Sequence, residues 1–189
     1  MIPSSRPDAF KTMAASSLQQ TALTLFQKGN YAEAIKFFEQ ARAAYQSENN
    51  PALASEMQNN LGVIYRAQKN YALALPTIET ALAEFRALND SNRTAQALGN
   101  LGAVLLEMNQ LERAAQALNE ALELFDPQKD KQMRSEVLRV LGEVRLKQGK
   151  YMEGMMDYEA GLRTTEKRSA QQNWLLKLLE KPLKMMGLK

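Results

Sequence analysis

Small and apolar residues recur along most of the chain at spacings of three, four and seven, the period of amphipathic helices rather than strands. The pattern also repeats as a whole. A shift of 40 residues superimposes Ala22, Gly62, Gly102 and Gly142, then Tyr31, Tyr71, Leu111 and Tyr151, with no insertion. Other columns keep the register: Thr21, Leu61, Leu101 and Leu141; Ala34, Ala74, Ala114 and Gly154; Phe38, Ile78, Leu118 and Tyr158; Ala41, Ala81, Ala121 and Gly161. Four units result, at 15–54, 55–94, 95–134 and 135–168. Each holds two helices divided by a polar or glycine break: Lys28-Gly29-Asn30, Lys69-Asn70, Asn109-Gln110 or Gly149-Lys150. The Tyr or Leu after the break opens the second helix. Between units, Asn49-Asn50-Pro51, Asn89 to Asn92 and Asp126-Pro127-Gln128 read as turns, with Pro51 at a first helical position and Asn50 or Ser91 as N-cap.

A hairpin of two such helices cannot bury its apolar face alone, so successive hairpins must stack. The small column beginning at Ala22 lets the paired helices approach closely. Phe38, Ile78 and Leu118 are expected to fill the space between hairpins, and Ala41, Ala81 and Ala121 to leave room for the next one. In the fourth unit Gly154 and Gly161 replace Ala inside a helix, at about 1 kcal/mol each in propensity. That helix is expected to be the least rigid. Residues 1–14 extend the first helix backwards from an Asp8 cap. Residues 169–189 form a capping helix and a basic tail, with Trp174, Leu175, Leu178 and Leu179 on one face covering the open end and Pro182 ending the helix. The alternative for this segment is a basic amphipathic helix that uses Lys177, Lys181 and Lys184 on a membrane surface or a partner.

These columns (a small residue in the first helix, Tyr after the break, then Ala, a large apolar residue and Ala) resemble the tetratricopeptide repeat. Segments such as Asn59 to Tyr65 and Tyr71 to Leu82 are similar to the longer repeats of kinesin light chains and related bacterial scaffold proteins. The period of 40, against the usual 34, and the missing repeat Trp are departures. The resemblance implies an all-α, right-handed superhelical solenoid of nine helices whose concave wall is built from the first helix of each unit.

Chemistry narrows what that wall can do. The 189 residues include no Cys and no His, which removes thiolate and imidazole metal sites, Cys nucleophiles and His proton shuttles. No phosphate loop or dinucleotide fingerprint is present, and no cofactor is expected. Carboxylate pairs such as Glu120 and Glu123 lie on solvated faces, so the chain is read as noncatalytic. No apolar run approaches a membrane span, and the opening residues lack the apolar core of a secretion signal, which makes the cytoplasm the expected location. The net charge is +3, but its distribution is uneven. Residues 1–128 carry 10 Lys and Arg against 13 Asp and Glu, whereas 129–189 carry 14 against 8. Aromatics occupy packing columns rather than alternating with Arg, so nucleic acid is not the expected partner.

The wall itself is rich in amides. Its stripe includes Gln20, Asn60 and Asn100 as a ladder, with Gln96, Val63, Ala103 and Glu107 alongside. An amide offers one acceptor and two donors, and can pair with a peptide backbone whatever the peptide's side chains. The Asn before Leu-Gly, as in Asn60-Leu61-Gly62 and Asn100-Leu101-Gly102, is similar to the position that contacts peptide backbone in the kinesin light chain type of repeat. A carboxylate clamp is excluded, since its basic positions read Gln19, Gln96 and Asn100. The resulting expectation is an adaptor that binds an extended segment of another protein. The alternative is a scaffold that self-associates, as a homo-oligomer, through its convex side or C-terminal end.

Overall fold

The computed structural model describes residues 14–165 and 168–185, with side chains up to Leu179. Among the described residues there are nine helices and no strand: α1 Ala15–Gln27, α2 Tyr31–Ser47, α3 Pro51–Ala67, α4 Tyr71–Ala87, α5 Ser91–Glu107, α6 Leu111–Leu124, α7 Lys131–Lys147, α8 Tyr151–Thr164 and α9 Ala170–Met185. The first eight pair into four antiparallel hairpins stacked as an all-α solenoid. The backward extension of α1 from Asp8 falls outside the described residues.

One turn is used six times. Gly29, Asn49, Lys69, Asn89, Asn109 and Gly149 all have φ between 54° and 78°, a left-handed residue that ends one helix two positions before the next begins. At each, the following N–H bonds back to the carbonyl five residues earlier, as Asn30 does to Leu25 at 2.9 Å and Asp90 to Phe85 at 3.1 Å. The next helix is then capped. Asn50 Oδ1 accepts from the Leu53 N–H at 3.2 Å, with Pro51 at the first helical position. Before α5 the cap is Asp90, not Ser91: Asp90 Oδ1 accepts from the Arg93 N–H at 3.0 Å, which displaces Ser91 to the first helical position. Pro127 prevents the same turn after α6. There Asp126 Oδ1 accepts from the N–H groups of Gln128 and Lys129, at 2.8 and 3.1 Å. The Arg134 guanidinium closes the gap by donating to the Leu122 and Phe125 carbonyls.

The expected large residues Phe38, Ile78 and Leu118 are buried, but Ile78 and Leu118 pack against their own partner helix rather than between hairpins. A methyl added to Gly62 would sit 2.3 Å from Ile78 Cγ1, and one on Gly102 would sit 2.5 Å from Leu118 Cγ. Ile78 and Leu118 thus occupy the space that glycine vacates within the hairpin. The Tyr45, Phe85 and Phe125 column closes the far end of each pair, all three buried. Hairpin four obeys a different rule. Methyls on Gly142 and Gly154 would each meet the other residue's carbonyl oxygen at 2.8 Å, and one on Gly161 would meet the Ser135 carbonyl at 2.8 Å. So α7 and α8 lie backbone against backbone. The two glycines, whose intrinsic helix propensity is low, permit the closest helix contact among the described residues. Ser135 Oγ donates to the Gly161 carbonyl at 2.7 Å and meets Thr165 Oγ1 at 2.8 Å, where the other hairpins place an aromatic.

At the C-terminal end α9 rests on α8. It begins in a reciprocal cap: Ser169 Oγ accepts from the Gln172 N–H at 3.2 Å, and Gln172 Oε1 accepts from the Ser169 N–H at 2.8 Å. The expected covering face is only half used. Leu175 and Leu179 are half-buried, as is Leu176, but Trp174 and Leu178 are 62% and 53% exposed. The reason is angular, because at about 100° per residue Trp174 and Leu178 lie about 60° or more from the leucines that meet α8. Nor does Pro182 end the helix, which continues to Met185. A proline so near a C-terminus forfeits one backbone hydrogen bond while its fixed φ remains helical.

The glycine contacts give a prediction with an unusual sign. Gly→Ala inside a helix ordinarily gains about 1 kcal/mol. Gly154→Ala is expected instead to cost about 1–3 kcal/mol, because its methyl meets backbone that cannot move aside. In Gly99→Ala the methyl meets only the Val137 side chain, at 3.1 Å, and the change is expected to be nearly neutral. Urea unfolding of both variants is the check; equal effects would refute the backbone contact.

Candidate functional site

The first helices of successive hairpins touch, α3 with α5 and α5 with α7, while the second helices stand farther apart. Their gaps are bridged by long side chains, Arg42 with Glu84, Arg113 with Glu79 and Arg86 with Glu120. A stack with one row of helices in contact and the other spread curves toward the first row. The inner wall is therefore made by α1, α3, α5 and α7, and every residue of the amide stripe lies on these four helices.

The stripe is not uniform along the wall. Gln20 is exposed and Asn60 half-buried, and neither side-chain amide has a hydrogen-bond partner among the described residues. Asn100 Nδ2 donates to Asn59 Oδ1 at 3.3 Å, so the ladder's link runs to the neighbour of Asn60. Gln96 Nε2 donates to Asn92 Oδ1 at 2.6 Å. Glu107 lies 3.8 Å from Arg66. Val63 is half-buried, and Ala103 is buried.

Three of the stripe residues, Gln96, Asn100 and Ala103, come together in a groove of about 430 Å³ between α5 and α7. Gly99, Val137 and Val140 join them there, with Arg66 and Arg139 among the lining residues. Gln20, Asn60, Val63 and Glu107 do not line it. Gly99 faces the Val137 side chain of α7, which an added methyl would meet at 3.1 Å. Arg139 occupies the column of Gln19, Asn59 and Gly99, and has no ion-pair or hydrogen-bond partner among the described residues. Sequence reading missed both. The signal was a glycine outside the small-residue columns, followed 40 residues on by a cation. A second groove, of about 290 Å³ between α4 and α6, is walled by the Arg113–Glu79 and Arg86–Glu120 pairs, so its charged groups already satisfy one another.

Away from the groove, a polar chain ties three hairpins together. Tyr45 Oη donates to Gln19 Oε1 at 2.6 Å, Gln19 Nε2 to Glu56 Oε1 at 3.3 Å, and Arg93 Nε to Glu56 Oε2 at 3.0 Å. Arg93 also reaches Asp90 Oδ2 at 2.7 Å. The Arg93 backbone N–H, then its guanidinium, holds the Asp90 carboxyl below its ordinary value, against the opposing effect of partial burial. Among the described residues no group of three or more acidic side chains could hold a metal ion.

With hairpins, curvature and period established, comparison with known proteins settles the family. Three models, each described as tetratricopeptide repeat, match residues 14–52, 53–126 and 100–171. The chain is a tetratricopeptide-repeat protein. No curated protein matches it by sequence. Among solved structures it is similar to the crystal structure of BtubC (BKLC) from P. vanneervenii, with 20% identity, a TM-score of 0.68, and coverage of 82% of this chain and 68% of that one. That likeness carries the fold. Tetratricopeptide repeats generally mediate protein–protein interaction.

In this tetratricopeptide protein, Asp90 yields a pH prediction. A carboxyl depressed in the folded state stabilises above its unfolded value of 3.8, and the contribution is lost as pH falls through the folded value. Stability should therefore drop with acid over that interval. Asp90→Asn keeps a capping acceptor but removes the titration, so its urea midpoint is expected to fall less steeply below about pH 5. Parallel curves would show that Asp90 contributes nothing to acid sensitivity.

Proposed function

We propose that the protein is a noncatalytic adaptor whose concave wall binds an extended segment of another protein. The observation that carries this is the α5–α7 groove, which Gln96 and Asn100 line together with Gly99, Ala103, Val137 and Val140. Small residues such as Gly99 and Ala103 admit a main chain closely. Amides then pair with its N–H and C=O groups, which gives affinity without a demand for particular side chains. Asn100 uses one donor on Asn59, leaving a donor and an acceptor for a ligand. The Arg139 guanidinium adds a point of selection for a carboxylate on the bound segment. Gln20 and Asn60 continue the amide row toward the N-terminal end, where a longer segment would run.

The test is to select extended peptides from a random library against the protein and measure their affinities for variants. Each backbone hydrogen bond nets about 0.5–1.5 kcal/mol. Asn60→Ala combined with Asn100→Ala is expected to weaken binding roughly tenfold or more while the protein stays folded, with a modest loss of melting temperature from the Asn100–Asn59 bond. Unchanged affinity would place the binding surface elsewhere.

A further inference from the structure

Helix α9 has two apolar faces, and the solenoid uses only one. Leu175, Leu176 and Leu179 are half-buried on the side toward the stack, whereas Trp174 and Leu178, one turn apart, are mostly exposed. Lys177, three residues after Trp174, is exposed beside them. The sequence of this segment is unevenly charged: Arg168 and Lys177 are the charged residues of 168–179, and from residue 166 to the end there are six Lys and Arg against two Glu. We propose that this face of α9 seats the protein on the surface of an anionic lipid bilayer, with Trp174 and Leu178 entering the headgroup boundary and the basic residues meeting acidic headgroups.

The choice of lipid over protein rests on area and charge. A stable protein interface requires roughly 1,000 Å² or more of buried surface. A Trp, which buries about 150–250 Å², together with one Leu falls well short. Interfacial attachment needs no such area, because a few apolar side chains and a basic cluster act as two weak signals that add. A second copy is disfavoured for another reason. Placing two such faces together would bring the Lys177 side chains of both copies to one interface, with like charge on each side. Attachment would be peripheral, since among the described residues no helix is long and apolar enough to cross a membrane. Trp at the interface is also where its amphipathic ring is most stable.

The chain carries a reporter at this site, because Trp174 is its sole tryptophan. The experiment adds vesicles of phosphatidylcholine with about a third phosphatidylserine, or of phosphatidylcholine alone, to the full chain. Emission and co-sedimentation are followed. The expected result is a blue shift and sedimentation with the anionic vesicles only, both reversed by added salt. Lys177→Glu and Leu178→Ser are each expected to weaken binding on the order of tenfold. Neither alters the leucines that hold α9 on α8, which unchanged thermal unfolding would verify. Absence of any shift with anionic vesicles would overturn the proposal, as would equal binding to neutral ones. A blue shift that grows with protein concentration without lipid would assign the face to a second copy. Equal affinity for soluble polyglutamate would assign it to an acidic polypeptide.

Discussion

Each hairpin depends on how closely its two helices can cross, and that distance is set by one column: Ala22, Gly62, Gly102 and Gly142. Helix axes pack at about 8–10 Å according to the side chains at the contact, so the smallest residue at the crossing fixes the hairpin's thickness. In hairpins two and three the vacated space receives Ile78 and Leu118. Because the same choice recurs at an unbroken spacing, the hairpins stack in one register. The first helices meet and the second ones spread. Curvature follows from that inequality, and the concave wall follows from curvature. The amide stripe lies on the inside because its residues point away from the crossing.

Sequence made the repetitive part of this legible, since a period with no insertion fixes element order, helix starts and the buried columns together. Tyr31, Tyr71, Leu111 and Tyr151 open their helices where the break residues placed them. What could not be read was whatever depends on two helices at once. A glycine inside a helix has a known intrinsic cost, but its benefit depends on what faces it. Gly154 therefore read as a loss until Gly142 was found opposite. Trp174 and Leu178 failed for a related reason. Helical spacing grouped four apolar residues within a broad arc, and only the position of α8 divides that arc into a covered and an uncovered side. The groove was half legible: Gln96, Asn100 and Ala103 lie in it, but Arg139 was hidden in a column otherwise filled by Gln19, Asn59 and Gly99.

Hairpin four is where the repeat gives way to something specific. In hairpin three, Leu105 and Ala117 are both buried in the apolar core. Forty residues on, these positions are Arg145 and Asp157, joined at 2.6 Å, with Glu153 also within 3.6 Å of the guanidinium. Burial, with a further push from Glu153, raises the Asp157 carboxyl above its ordinary value against the opposing pull of Arg145. The pair is thus a desolvated contact, which contributes less to stability than its short distance suggests. Glu159, also buried, pairs with Arg163. The cohesion of α7 with α8 then rests on the backbone approach at Gly142, Gly154 and Gly161 together with the buried side chains of Leu141, Val144 and Leu162.

The C-terminal end of this hairpin is where α9 docks. It rests on α8 through three half-buried leucines, Leu175, Leu176 and Leu179. The exposed side of α9 that carries Trp174 and Leu178 is then free of structural duty. Its Trp and Leu are costly to leave in water, at roughly 1.5–3 kcal/mol for a large apolar side chain, and covering the stack does not require them there. In a chain whose positive charge is concentrated over the same residues, that cost is offset most simply where an apolar boundary and negative charge occur together.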